Sequence, residues 1–177
     1  MTQIEANGIT IDYEITGEGD PLLMIMGLGS QRISWPEGFV DEFTGRGYQV
    51  IQFDNRDAGL STEFDGPAPY PAAVVMARLS GETPDVPYRL ADMADDTAAL
   101  LDGLGIGSTH VLGVSMGGMI AQELAIRHPQ RVRSLTSIMS TTGDPSVGGV
   151  APDLMGRLDE LTATSIDHAV ERSVAMW

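Results

Sequence analysis

Ser115 lies between two glycines at a spacing that suits a nucleophile. The stretch VLGVSMGGMIAQ, residues 111–122, places Gly113 and Gly117 two residues to either side of the serine. Where a strand turns sharply into a helix, a serine at the apex takes a strained backbone conformation that exposes its hydroxyl. The flanking residues approach each other closely there, so glycine is needed on both sides. The pattern predicts that Ser115 is a catalytic nucleophile.

The runs on either side of Ser115 favour that interpretation over chance. The chain contains 21 glycines, so a G-x-S-x-G match can arise accidentally. Here, however, the strand-like run THVLGV precedes the serine, and the helix-like run MGGMIAQELAIRH follows it and stops at Pro129. The first N–H groups of such a helix lie near the serine, where an oxyanion would form. The backbone N–H of Met116 is therefore a predicted oxyanion-hole donor.

A second glycine-bearing turn, MGLGS at residues 26–30, follows an earlier apolar run. A turn at the end of a neighbouring strand is where the second oxyanion donor is expected. We assign that role to the backbone N–H of Leu28. The alternative is that the two glycines only make a flexible turn between a strand and a helix.

Strand-like and helix-like segments alternate along the chain after an initial hairpin, which is indicated by Asn7-Gly8 between two alternating runs. This order predicts an α/β fold, with a mostly parallel sheet and helices on both faces. The predicted strands after the hairpin are the apolar run PLLMIM, residues 48–53, THVLGV and VRSLTSIM. The predicted helices are residues 35–46, a short one near 72–79, 88–104, and the one after Ser115.

Composition excludes several classes of function. The chain has 25 acidic and 10 basic residues, a net charge of −15, which disfavours binding to nucleic acid or to an anionic membrane surface. It contains no lysine, which excludes Schiff-base chemistry and a P-loop, and no cysteine, which excludes disulfides and thiolate catalysis. The three histidines are scattered, which disfavours a metal site. With no recognisable signal peptide, a cytoplasmic protein is expected.

The quoted motifs together resemble the α/β-hydrolase fold superfamily. The hairpin, MGLG, FDNRDAGLS, GVSMGG and RVRSLTSIMST carry the resemblance, and SWPEGFVDEFTGRGYQVIQFDNRDAGLST is similar to esterases of the aclacinomycin methylesterase type. The resemblance implies a cofactor-free Ser-His-Asp hydrolase that acts on a small ester, a methyl ester among the candidates, or on a related carbonyl bond. Perhydrolase (haloperoxidase-like) and proline iminopeptidase-like chemistries stay open on the same fold.

The family pattern also implies an acid and a histidine after Ser115, and here the sequence departs from it. We call the sharp strand-to-helix turn at Ser115 the elbow, and the helix that follows it the elbow helix. His128 is predicted at the far end of that helix, about 18 Å from the serine at 1.5 Å per residue. His168 lies in a segment that resembles the start of a lid. The position of Asp144 directly before Pro145 favours its interpretation as a turn residue over that of the triad acid.

Helical spacing continues to the last residue, so we expect an N-terminal part of a longer hydrolase, truncated before its last strands. Residues 1–143 would be the core and 144–177 the beginning of a lid or cap. The competing hypothesis is a catalytically incomplete binding or assembly protein, with homo-oligomerisation through an open sheet edge.

Two further groups of residues have a structural and a functional interpretation. Arg56 with Asp54 and Asp57 could be catalytic, but a loop held by ion pairs is favoured. Four methionines near the elbow could line an apolar pocket or fill the core. These are Met24, Met26, Met116 and Met119.

The acidic residues of the predicted helix 88–104, namely Asp92, Asp95 and Asp96, are expected on a solvated face.

Overall fold

The computed structural model describes residues 2–66, 74, 76–77, 80–144 and 147. The backbone falls into two units, residues 1–142 and 143–177, and the architecture below is that of the first. The predicted helix near 72–79 and the predicted lid segment 144–177 lie largely outside the described residues. No helix in the described part of the chain is long and apolar enough to cross a bilayer.

Six strands form one sheet in the order β1-β2-β4-β3-β5-β6. The strands are β1 (Thr2–Ala6), β2 (Ile9–Thr16), β3 (Asp20–Ile25), β4 (Tyr48–Phe53), β5 (Thr109–Val114) and β6 (Val132–Ile138). The pairs β1/β2 and β2/β4 are antiparallel, whereas β3/β4, β3/β5 and β5/β6 are parallel. The predicted α/β fold with a mostly parallel sheet is confirmed.

The β1–β2 hairpin turns at Asn7-Gly8, as predicted. Ala6 pairs with Ile9, and the two residues between them have φ of 51° and 77°. Both turn positions therefore require positive φ, which asparagine and glycine tolerate better than other residues. The turn fixes the register that places Ile9 and Ile11 in the core.

Helices cover both faces of the sheet. They are α1 (Glu37–Thr44), α2 (Leu90–Gly103) and α3 (Met116–Arg127). One core packs α2 and α3 against Leu23 and Ile25, and the other packs α1 against Leu22 and Met24. Because successive residues of β3 point to opposite faces and both faces are covered, the strand is apolar at every position from Leu22 to Ile25. Burying each such side chain contributes about 1.5–3 kcal/mol.

Asp96 on α2 is buried, so the prediction of a solvated acidic face is wrong for this residue. Arg56 donates two hydrogen bonds of 2.7 Å to its carboxylate, and Asn7 donates a third of 2.8 Å. The guanidinium lies over the rings of Phe64 and Tyr88. Burial by itself lowers the pKa of Arg56, but the bonds to Asp96 outweigh it and the pKa is raised. Arg56 therefore joins the loop after β4 to α2, rather than forming a cluster with the acids of its own loop, and Asn7 joins the hairpin turn to the same carboxylate.

Asp95 is half-buried and paired, which also departs from the predicted solvated face. Its carboxylate accepts hydrogen bonds from Arg127 at 2.6 Å and from His128 at 2.7 Å. The bond from Arg127 is the main reason that the pKa of Asp95 is lowered. These contacts join the side of α2 to the end of α3.

Tyr88 is expected to titrate well above free tyrosine. Burial and the hydrogen bond that its hydroxyl donates to Asp57 raise its pKa from 10.0 to about 12. Because the pKa is higher in the folded state, this residue's contribution to stability is present below pH 10 and is lost between pH 10 and 12. Alkaline absorbance titration of the wild type against Tyr88→Phe measures the value. A transition near 10 would contradict the structure.

Candidate active site

Ser115 sits at the turn between β5 and α3, with φ 56° and ψ −121°. Few residues other than glycine adopt this region, so the serine holds backbone strain of about 1–3 kcal/mol. Its N–H donates to the Ile138 carbonyl at 2.9 Å, and its carbonyl accepts the Gly118 N–H at 3.0 Å. The residue is exposed, and its hydroxyl makes no hydrogen bond to the residues that the structure describes. The backbone is thus fixed while the hydroxyl stays accessible.

The glycines around Ser115 are required by close backbone approaches. A Cβ on Gly113 would lie 2.2 Å from the Gly117 carbonyl oxygen, and one on Gly117 would lie 2.1 Å from the Ile25 carbonyl oxygen. A Cβ on Gly118 would meet the side chains of Ser137 and Ser140 at 2.6 Å. In each case the obstacle belongs to the framework of the elbow, so the sequence pattern has a steric origin.

Gly117→Ala is expected to lower the free energy of unfolding by about 3 kcal/mol, because the new methyl group must displace the backbone of β3. Gly38→Ala is the matched control. Gly38 is also the second residue of its helix, and a Cβ there meets nothing within 4 Å. Urea denaturation should place the control within about 1 kcal/mol of the wild type. Equal losses in both variants would contradict this account of the elbow.

The turn at residues 26–30 lies directly against Ser115. A Cβ on Gly27 would be 3.2 Å from the Ser115 Cβ and 3.7 Å from its Oγ. The next residue, Leu28, is 80% exposed, and Gly29 has φ of 68°. The structure therefore brings the predicted donor segment beside the predicted nucleophile, while the role of the Leu28 N–H stays a prediction.

The start of α3 offers free donors beside the same serine. Gly118 and Met119 donate to the Ser115 carbonyl, which leaves the N–H groups of Met116 and Gly117 without an acceptor inside the helix. Such N–H groups at a helix start favour negative charge. The position is suited to the oxyanion role predicted for Met116.

The alpha/beta hydrolase fold family matches residues 20–171. The chain belongs to this family. Among its relatives, rhodomycin D methylesterase DnrP of Streptomyces peucetius is 30% identical over 184 residues, which cover 91% of this chain and 56% of DnrP. The pimeloyl-[acyl-carrier protein] methyl ester esterase of Aeromonas hydrophila is 28% identical over 95% of this chain and 58% of its own length. The predicted resemblance to α/β hydrolases of the methylesterase type is confirmed.

A solved structure supports the same assignment. Est816, described as an N-acyl homoserine lactone degrading enzyme, matches with a TM-score of 0.64 and 28% identity. The match covers 89% of this chain and 52% of that one. The chain therefore spans about half the length of the relatives it matches.

The two described histidines lie away from the elbow of this α/β hydrolase. His128 follows the last residue of α3, at the opposite end from Ser115, and its Nε2 is bonded to Asp95. His110 is five residues before Ser115 on β5, about 16 Å along the strand, and its Nδ1 is 2.7 Å from the Ser134 hydroxyl. His168 lies outside the described residues. Asp144 belongs to the second unit, and its predicted role as a turn residue stays a prediction.

Met24 and Met26 are buried and fill the core on the α1 face, which favours the packing interpretation for these two. Met116 is half-buried and packs against the other core. A cavity of about 330 Å³ lies beside α1, lined by Arg32 and Trp35 among others, and Ser115 is not part of its lining. Within residues 2–66, 74, 76–77, 80–144 and 147, no three His, Asp or Glu side chains are placed to hold a metal ion.

Two buried residues of the loop after β4 contact the turn beside Ser115, a role that was not predicted for them from the sequence. Asn55 donates from its Nδ2 to the Met26 carbonyl at 3.1 Å, and Asp54 accepts from the Arg32 N–H at 2.6 Å. Both contacts join segments more than 20 residues apart. A local sequence pattern could not reveal these contacts. The position of Asp54 and Asn55 directly after a buried strand was nevertheless a sign of a functional loop.

Proposed function

We propose that the protein is a serine hydrolase that cleaves carboxylic esters, methyl esters among them. The observation that carries the proposal is the strained, exposed Ser115 at the start of α3. The turn at residues 26–30 lies against it and the free N–H of Met116 follows it. The methylesterase and methyl ester esterase names of two relatives support the substrate class.

In the proposed reaction, the Ser115 Oγ attacks the ester carbonyl carbon and gives up its proton to a general base. The carbonyl oxygen becomes an oxyanion that the N–H groups of Leu28 and Met116 stabilise. Collapse of this tetrahedral intermediate expels the alcohol, which takes the proton from the general base, and leaves an acyl group on Ser115. Water then attacks the acyl carbon and releases the acid. Each donor contributes about 3 kcal/mol of transition-state stabilisation.

The general base is not assigned to any described residue. A base must come within hydrogen-bond reach of the Ser115 hydroxyl. His110 on β5 and His128 at the end of α3 are both too far from that hydroxyl. The experiment therefore uses the complete product of the native gene.

Labelling with a fluorophosphonate tests the nucleophile directly. Arg89 and Arg127 are successive arginines in a chain without lysine, so trypsin releases residues 90–127 as one peptide that contains Ser115. Mass spectrometry is expected to find the phosphonyl group on Ser115 of that peptide. Labelling elsewhere, or none, would overturn the proposed nucleophile.

A substrate panel tests the reaction class. Hydrolysis of methyl and p-nitrophenyl esters should exceed release of an N-terminal proline and peroxide-dependent halogenation, which the alternative chemistries of the same fold would favour. An enzyme active only in one of the latter assays would replace the esterase proposal.

A further inference from the structure

The turn beside Ser115 is held at both ends by the loop that follows β4. At its start, the Met26 carbonyl accepts a hydrogen bond of 3.1 Å from the Asn55 side-chain amide. Two residues after its end, the N–H of Arg32, which begins a short 3-10 helix, donates a hydrogen bond of 2.6 Å to a carboxylate oxygen of Asp54. Two consecutive side chains thus clamp a segment of seven residues, 26–32, that contains Leu28.

The two clamping side chains are themselves fixed. Asp54 is 3% exposed and Asn55 4%. The second carboxylate oxygen of Asp54 accepts the Leu60 N–H at 3.0 Å. Gly59 packs against this carboxylate so closely that a Cβ there would lie 2.0 Å from the same oxygen. Asp54 cannot reorient without breaking two part-buried hydrogen bonds, and Asn55 cannot do so without breaking its buried bond to Met26; such bonds are costly to leave unmade.

Little else orients the middle of the turn. The Leu28 side chain is 80% exposed, so packing does not hold it. Within the turn, the Ser30 N–H donates to the Gly27 carbonyl at 3.2 Å. Glycine at two of the central positions adds backbone freedom. The polar contacts at the ends of the turn therefore act together with this internal hydrogen bond to set the direction of its peptide groups.

We propose that Asn55 and Asp54 are positioning residues that set the direction of the Leu28 N–H relative to Ser115. Asn55 fixes the carbonyl of Met26, one peptide group before the one that carries the Leu28 N–H. Asp54 fixes the exit of the turn at Arg32. The inference rests on the proposed function, because it concerns an oxyanion donor of that reaction.

An oxyanion donor acts only if it is aligned before the charge develops. Loss of a whole donor lowers kcat by about 10²–10³-fold. Loosening the Leu28 N–H by removing the Asn55 amide should cost less, about 10–100-fold in kcat. The effect belongs to kcat, with KM within about twofold, because the contact strengthens only in the transition state.

The test compares Asn55→Ala with Ser61→Ala in the complete gene product, using p-nitrophenyl acetate as substrate. Ser61 is a matched control because it is buried in the same loop, and its hydroxyl bonds the Asp54 carbonyl and the Asp12 N–H, not the turn. Asn55→Leu, which keeps the branching at Cγ and the number of side-chain heavy atoms, replaces Asn55→Ala if the latter does not fold. The chemical shift of the Leu28 amide is measured in every variant by ¹⁵N NMR.

The expected result is a kcat loss in the Asn55 variant alone, together with a shifted Leu28 amide. A folded Asn55 variant with wild-type kcat would overturn the inference, as would equal kcat losses in the Asn55 and Ser61 variants. An inactive wild type would instead overturn the proposed function. If the wild type is inactive, an unchanged chemical shift of the Leu28 amide in the Asn55 variant would overturn the positioning role as well. A changed chemical shift would support that role.

Discussion

Ser115→Ala is expected to lower kcat for ester hydrolysis by about 10⁵-fold, because the reaction loses the atom that attacks the carbonyl. The free energy of unfolding should stay within about 0.5 kcal/mol of the wild type, since the hydroxyl is exposed and unbonded within the described residues. Initial-rate assays and urea denaturation of the same preparations measure the two effects separately.

Ser115→Gly is the matched control for this prediction. It should be equally inactive but more stable than Ser115→Ala by about 1 kcal/mol, because glycine adopts φ 56°, ψ −121° with less strain. An active Ser115→Ala protein would contradict the proposed nucleophile. Equal stability of the two variants would contradict the strain at the elbow.

Arg56→Met is expected to lower the free energy of unfolding by about 3–5 kcal/mol. The side chains of Arg56 and Asp96 are 6% and 4% exposed, so the variant leaves a carboxylate buried without its counter-charge. The rings of Phe64 and Tyr88 also lose the cation that lies over them. Urea denaturation followed by circular dichroism measures the loss.

The double variant Arg56→Met/Asp96→Asn separates the buried charge from the lost packing. It removes both charges and keeps an oxygen that can accept the bond from Asn7. We expect it to recover at least half of the stability that the single variant loses. A single variant within 1 kcal/mol of the wild type would show that the pair is unimportant.

Short-range patterns were sufficient for most of the framework. The hairpin at Asn7-Gly8, the strand 48–53 and the elbow at Ser115 each depend on residues adjacent in the chain, so their sequence carries the information. The steric requirement at Gly113 and Gly117 is also visible in the local sequence, because glycine is the only residue that fits at these positions.

The contacts that the sequence could not predict are those between distant segments. Asp96 lies on a helix with other acids, and periodicity alone places it in solvent. Its partner Arg56 is 40 residues away, and only the fold brings the two together. The same holds for Asn55, whose acceptor is the carbonyl of a residue on another loop. Buried polar pairs satisfy each other wherever the fold juxtaposes them.

The central position of β3 in the sheet also has a consequence for synthesis on the ribosome. One edge of β3 pairs with β4, which ends at Phe53, but the other pairs with β5, which ends at Val114. At about 5–20 residues per second, the ribosome needs roughly 4 to 18 s to travel from the end of β3 to the end of β5. During that interval β3, whose residues Leu22 to Ile25 are all buried in the folded protein, has an unpaired edge. Chaperone binding to the nascent chain would be most valuable in that window.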